Sequence, residues 1–431
     1  MIKRNATRVL AWILAAGSVA SLASCKFEFF KTSSDETLAE SESTPVTDTL
    51  GAATQPSDIQ QNIEDMPRFD YFDTEVDLSQ YATLDPSAYA ADTFALPADL
   101  RVLDTTVENY LRSVRYAYHV AVNGTEQVTD QPLAWGDDAY VYYRFLLDGK
   151  ELASASHMND AEPTVLGLGS GQLTPLEEKM IGVVPADTSR DNPLRFTVTF
   201  PSTYGVAPGE EVEVEIYVTH SVRYTLPTLD RAFVVDTFGY APKSEWYASD
   251  AALMDEFYAA VRDKLVDDYA AKVNNAKQKA VWNQLIEAAT ITKLPQEEID
   301  YLYAVQMQSL KQSYETYQTK YATLDEFAPV YLGLTAGADW QAALRSDVER
   351  QVKIQLLSFV IARAEGLDTV SEAELQREVD LWVEYYSSQS NVPVTDEEVK
   401  ANVGLPALYS QAVSYKVQTF LLERMTFVYG E

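Results

Sequence analysis

The 431-residue chain is poor in the side chains that carry most covalent and metal chemistry, with one cysteine and three histidines. A lone cysteine excludes an internal disulfide. His119, His157 and His220 lie far apart, so a zinc site of the usual spacing is not expected. A Cys–His nucleophilic pair is excluded, and no local motif supports a Ser-His-Asp triad. Basic residues are scarce as well: 33 Lys and Arg against 65 Asp and Glu, for a net charge of −32. That balance argues against nucleic acid and against direct adsorption to anionic lipid. It favours a well-solvated surface. Long hydrophobic runs are missing too, the longest being about fifteen residues, too short for a membrane span. No cofactor is expected.

That apolar run lies at the N-terminus, MIKRNATRVLAWILAAGSVASLASC, behind the basic residues Lys3, Arg4 and Arg8. A basic segment, an apolar stretch and small residues are the parts of a secretory signal. The run closes on Leu22-Ala23-Ser24-Cys25, which resembles the lipobox of bacterial lipoproteins. The resemblance implies cleavage before Cys25 and lipidation of that residue, with residues 1–25 as signal. Residues 26–68 are rich in Ser, Thr, Asp and Glu and cannot bury enough surface to offset their ordering entropy. They read as a disordered tether with a reach of roughly 35 Å. The expected location is extracytoplasmic, lipid-anchored to a bacterial membrane.

After the tether the sequence changes style three times. Residues 69–134 read as an extended segment and a linker helix. In the helix, TTVENYLRSVRYAYHV, Val107, Tyr110, Leu111 and Val114 recur at helical spacing, with Thr105 or Thr106 as N-cap. From about Gly136 to Tyr224 the period becomes two. Asp148-Gly149 marks a hairpin, and Val212, Val214, Ile216 and Val218 alternate with Glu213, Glu215 and Tyr217. One short helix, TPLEEKMIG, sits among these strands, giving an α+β domain. From about residue 245 the chain is helical. Leu344, Val348, Val352, Leu356, Phe359 and Val360 form one face ahead of a stop at Gly366. Ser371 with Glu374 and Thr395 with Glu398 are capping boxes.

The short helix follows the most motif-like stretch, VLGLGSGQLTPLEEKMIG, residues 165–182. It has no Gly-Lys-Ser/Thr to hold a nucleotide, so a phosphate loop is not supported. Thr174 as N-cap, Pro175 at the first helical position and Glu177 read as a capping box. Leu176, Met180 and Ile181 can then face the sheet.

Residues 136–227 resemble the FKBP-type peptidyl-prolyl isomerase domain of trigger factor. VLGLGSGQLTP is similar to that family's strand–turn–helix entry, FTVTFPSTYG to its "TVTFPEEY" segment, and RYTLPTLDRAFV to its exit. Downstream, ITKLPQEEIDYLY, AEGLDTVSEAELQREV and SYKVQTFLLERM resemble successive elements of its C-terminal chaperone domain. The resemblance implies a multidomain fold. An FKBP-like antiparallel α+β domain (135–227) with one short helix is followed by an all-α chaperone domain of long helices (228–431). It implies a prolyl pocket walled by Tyr143, Leu152, Leu173, Thr174, Tyr204 and Val214. Arg144-Phe145 stands where the family has Thr-Gly, Ala153 where an acidic residue is common, and Glu177 where an aromatic floors the pocket. A one-residue slide offers Leu176 as the floor instead.

The family's ribosome-binding loop, "GFRxGKxP", has no match, and the anchor stands in its place. The expected partners are therefore unfolded or proline-containing polypeptides met after export, and the membrane through the lipid; neither ribosome nor nucleic acid is expected. The expected activity is prolyl isomerase and chaperone. A second reading is a non-catalytic holdase with a degenerate pocket, for which Tyr301, Tyr303, Tyr314, Tyr317 and Trp340 are candidate contacts. A solute receptor would need alternating β/α units around a cleft, which this order of strands then helices does not supply.

Overall fold

The computed structural model describes Ile63 and residues 66–122, 124–242, 249–335, 337–390 and 393–430. The expected signal, Cys25 and most of the tether lie outside these residues. None of the described helices is long and apolar enough to cross a membrane.

The chain divides into two compact units. One takes residues 93–280, 325–340 and 427–431 and holds the sheet. The other takes the residues up to Asp92 with 281–324 and 341–426, and is mostly helical. These units cut across the sequential blocks of the sequence reading.

In the sheet unit, helix α1 (Asp104–Tyr116) precedes a six-stranded antiparallel sheet. Its strands are β1 (Gln127–Val128), β2 (Asp138–Leu147), β3 (Lys150–Glu151), β4 (Thr164–Gly167), β5 (Leu194–Thr199) and β6 (Glu211–Val222). The path is β1-β6-β2-β3, with β4 on β2 and β5 on β6. The long pair β2–β6 sets Tyr143 opposite Ile216 and Phe145 opposite Val214. Val212, Val214, Ile216 and Val218 are buried, so the alternation in the sequence is the inside–outside alternation of the strand. Asp148 and Gly149 both take positive φ, +52° and +73°, as a two-residue turn matched to strand twist requires. Helix α2 (Thr174–Met180) seals one face with Leu176 and Met180, both fully buried. Each such side chain contributes roughly 1.5–3 kcal/mol of burial.

Helix α1 has Leu103, not Thr105 or Thr106, at its N-cap, so it starts two or three residues earlier than expected, and it ends at Tyr116. Thr106 caps from inside the first turn, its Oγ1 accepting the Leu103 N–H at 3.1 Å. Val107 and Leu111 pack with Phe257, Val261 and Leu265 of helix α3 (Asp250–Ala288). The last turns of α3, from Val281, count with the helical unit.

In the helical unit, α4 (Gln296–Tyr317) packs Ile299, Leu302 and Val305 with Val348 and Val352 of α5 (Trp340–Glu365). The α5 face expected from the sequence is buried at Leu344, Val348, Val352, Leu356 and Phe359. Val360 is half-buried, whereas Leu357, Ile361 and Ala362 are covered, because α5 is packed on more than one side. A second cluster joins α6 (Glu372–Ser390), α7 (Asp396–Val403) and α8 (Leu405–Arg424) through Val379, Trp382, Val399 and Leu408.

The segment 66–92 is a buried strap of this unit, whereas the sequence reading assigned 66–68 to the tether and the residues from 69 on to a weakly extended segment. Phe69, Tyr71, Leu78, Ala82 and Tyr89 are all covered. Arg363 grips its backbone, donating to the carbonyls of Tyr71 (3.0 Å), Asp73 (2.8 Å) and Val76 (2.7 Å). Glu298, fully buried, takes Arg68 at 2.8 Å and the Phe69 N–H at 3.2 Å.

Both capping boxes form. Glu398 and Thr395 exchange bonds at 3.0 and 3.3 Å, and Glu374 accepts the Ser371 N–H at 2.8 Å. The Ser371 donors, then Lys416, hold the Glu374 carboxyl down to about 2. A carboxyl depressed in the folded state stabilises above its unfolded value and loses that contribution as pH falls through the folded one. Urea unfolding should thus show a loss of stability between about pH 5 and about pH 2 that shrinks in Glu374→Gln. An undiminished loss in the variant would exclude this group.

Candidate functional site

Alternation along β2 turns Tyr143 and Phe145 to the same face, their rings 5.3 Å apart and edge-on. Phe145 meets Phe200 at 4.8 Å, and Phe200 meets Tyr204 at 4.6 Å. Tyr204 is brought back over Phe200 by a tight turn, its N–H donating to the Pro201 carbonyl at 2.9 Å. The result is an aromatic row with a tyrosine at each end and two buried phenylalanines between.

Five of the six expected wall residues, Tyr143, Leu152, Leu173, Tyr204 and Val214, belong to this one apolar cluster, together with Leu176. Thr174 is half-buried at the first turn of α2. Tyr143 and Tyr204 keep partial exposure, whereas Leu152 and Val214 are each 1% exposed and form floor rather than wall. Burial raises the pKa of both tyrosines, for Tyr143 with a further push from Tyr204, so both remain neutral hydrogen-bond donors. Arg144 points to the opposite face, where Arg144 and Arg195 hold Glu215 at 2.6 and 2.9 Å. These contacts, the Arg195 hydrogen bond first, lower the Glu215 pKa. Ala153 is exposed in a short 3-10 turn.

Glu177 does not form the expected capping box with Thr174, and it is not a floor. Leu173 holds the N-cap position with no side-chain bond, so Thr174 is already the first helical residue. The Glu177 side chain is 1% exposed and turned into the glycine loop. One oxygen accepts the Gly169 and Gly171 N–H groups at 2.9 and 3.3 Å. The other accepts the Leu173 N–H and the Ser170 hydroxyl, each at 3.1 Å. Loop amides that have no strand partner need an acceptor once buried, and this carboxylate serves them together with the N–H of the N-cap residue Leu173. Leu176, fully buried, takes the place under the aromatic row.

The glycines answer a different demand. A Cβ on Gly167 would lie 2.6 Å from Cζ of Tyr116; on Gly169, 3.3 Å from Cγ of Arg112; on Gly171, 3.1 Å from Cβ of Ser113. Helix α1 therefore lies directly on the loop, and only bare backbone leaves room for it. Gly169 and Gly171 also hold φ of +114° and +77°. Around this contact the Tyr116 hydroxyl donates to Asp138, and Arg112 stacks over Trp135 at 3.9 Å. Sequence reasoning missed Arg112, Ser113, Tyr116, Trp135 and Asp138; the glycine spacing reports a close approach but not its partner.

The aromatic side chains named for a holdase divide. Tyr301 and Trp340 are buried, the latter donating from Nε1 to Asp325 at 2.9 Å. Tyr303 and Tyr314 are half-buried, and Tyr317 is exposed.

Residues 253–423 match the family model of the bacterial trigger factor C-terminus. The chain is 24% identical to the trigger factor of Ligilactobacillus salivarius, over 80% of this chain and 72% of that protein. It is 25% identical to that of Moorella thermoacetica, over 75% and 66%, and 26% identical to that of Geobacillus thermodenitrificans, over 82% and 73%. A chain solved in work on promiscuous substrate recognition in the folding and assembly activities of the trigger factor chaperone aligns with 14% identity. That alignment covers 82% of this chain and 71% of the other, with a TM-score of 0.30.

Glu177→Gln replaces one accepting oxygen by an amide that faces two donors, and should destabilise the sheet unit by about 2–4 kcal/mol in chemical denaturation. Glu177→Trp should fare no better, because it orphans the same N–H groups and adds no floor. A gain of stability in either variant would contradict this bonding.

Proposed function

We propose that this chain is a trigger factor-like folding factor for unfolded polypeptides, with peptidyl-prolyl isomerase activity in the sheet unit. The observation that carries the isomerase reading is the row Tyr143–Phe145–Phe200–Tyr204, with neutral hydroxyls at its ends and an apolar floor of Leu152, Leu173, Leu176 and Val214. The match over residues 253–423 and the likeness to trigger factors support the chaperone reading.

Rotation about an X–Pro bond faces a barrier of about 18–20 kcal/mol, set by amide conjugation. A twisted prolyl amide has lost that conjugation and much of its dipole, so an apolar site favours it over the planar ground state. The row supplies that surface, and Tyr143 and Tyr204 supply donors for the substrate carbonyls. No nucleophile is needed, which agrees with a chain so poor in cysteine and histidine. The near-complete burial of Leu152 and Val214 favours a second reading, in which the row binds polypeptide without turning it over.

Residues 1–25 as export signal and a lipid on Cys25 would place this activity outside the cytoplasm, with the acidic segment as tether. Such a protein would meet clients after export and not at the ribosome.

A protease-coupled assay with a proline-containing peptide should show a rate above background that falls about tenfold in Tyr204→Ala, a loss of about 1.4 kcal/mol. A background rate in the wild type, alongside suppression of client aggregation, would establish the binding-only reading. Failure of both assays would reject the folding-factor proposal. Fatty-acid labelling in cells should be lost in Cys25→Ser; retained labelling would refute that anchor.

A further inference from the structure

Helix α1 has two packed faces within the sheet unit. Val107 and Leu111 sit among Phe257, Val261 and Leu265 of α3. On another face, Arg112, Ser113 and Tyr116 cover the backbone of Gly169, Gly171 and Gly167. The loop between these glycines and α2 is thus held twice. From within, Glu177 binds the amides of Gly169, Gly171 and Leu173. From without, α1 lies on it, pinned by the Tyr116 hydroxyl on Asp138 and by Arg112 over Trp135. The loop ends in Leu173, a member of the apolar cluster under the aromatic row, and in Thr174, which opens α2 beside it.

We propose that Tyr116 is a positioning residue for the aromatic site: α1 presses the glycine loop onto the Glu177 carboxylate, and this fixes Leu173 and the first turn of α2. The proposal rests on the functional reading above only for what the site does, not for how the loop is held. Tyr116 touches no substrate. It acts through Gly167, the last residue of β4, and through Asp138, which pairs with Gly167 at the start of β2. Because α1 also packs on α3, anything that moves α3 against α1 changes how firmly the loop is held.

Four variants of the full chain test this by amide hydrogen exchange: Tyr116→Phe, Tyr116→Ala, Gly167→Ala and the double variant Tyr116→Ala/Gly167→Ala. Tyr116→Phe removes only the hydroxyl and should keep the fold. It is expected to raise exchange at Gly169, Gly171 and Leu173 about threefold, with Val214 and Ile216 on β6 unchanged. Gly167→Ala drives a methyl into Tyr116 and should raise exchange at the same amides about tenfold or more. In the double variant the clash is gone, so its effect should fall short of the summed effects of Gly167→Ala and Tyr116→Ala, the signature of direct coupling. Wild-type exchange at the three loop amides in Tyr116→Phe and Gly167→Ala would overturn the proposal, as would a uniform rise across β6. In the prolyl-peptide assay Tyr116→Phe should raise KM more than it lowers kcat. If the wild type has no isomerase activity the functional reading loses its catalytic half, while the exchange pattern still decides how the loop is held.

Discussion

The sheet unit turns on one buried carboxylate. Glu177 has four donors within 3.3 Å, three of them backbone amides of a glycine loop that has no strand to pair with. Without an acceptor the amides of Gly169 and Leu173 would be buried and unsatisfied, at a cost of about 1–3 kcal/mol each. With it, a loop of three glycines becomes a fixed edge. On one side of that edge the bare backbone accepts helix α1; on the other, Leu173 and Leu176 complete the floor beneath Tyr143 and Tyr204. Glu177 thereby shapes the loop that stands beside the aromatic row.

The helical unit depends on a comparable arrangement at larger scale. Its strap, residues 66–92, contributes aromatic rings to the interior and so leaves backbone carbonyls in need of donors. Arg363 supplies three bonds from one guanidinium, and Glu298 takes an amide and the Arg68 side chain. Tyr71 stacks on Phe359 at 4.9 Å, so the strap and α5 share packing as well as polar contacts. In both units, irregular backbone is tolerated in the interior because a charged side chain has been placed to satisfy it.

What the sequence disclosed follows from how local each feature is. The alternation of Val212, Val214, Ile216 and Val218, the Asp148-Gly149 turn and the boxes at Ser371 and Thr395 depend on residues a few positions apart, and all are present in the structure. The same Thr-x-x-Glu template at Thr174 fails, because its glutamate faces the interior and meets competing donors from the loop. Helix α5 was legible in part: one face was visible, and the packing on a second side was not. The strap carried no period at all, since short 3-10 turns place buried rings at irregular intervals. At the site, the sequence named residues that do share one cluster. It could not tell wall from floor, because Leu152 and Val214 are closed over by neighbours distant in the chain. Helix α1 on the glycines was invisible for the same reason, Tyr116 and Gly167 being separated by about fifty residues.

In the proposed function the aromatic row and the loop beside it form one polypeptide-binding site. The most direct measurement is a titration of the full chain, labelled with 15N-leucine and 15N-tyrosine, with a proline-containing unfolded peptide, followed by amide chemical shifts. The account predicts saturable shifts at Tyr143, Leu173, Leu176 and Tyr204, with Leu146 and Tyr217 elsewhere on the sheet unmoved. Saturable binding that leaves Leu173 and Tyr204 in place would contradict it.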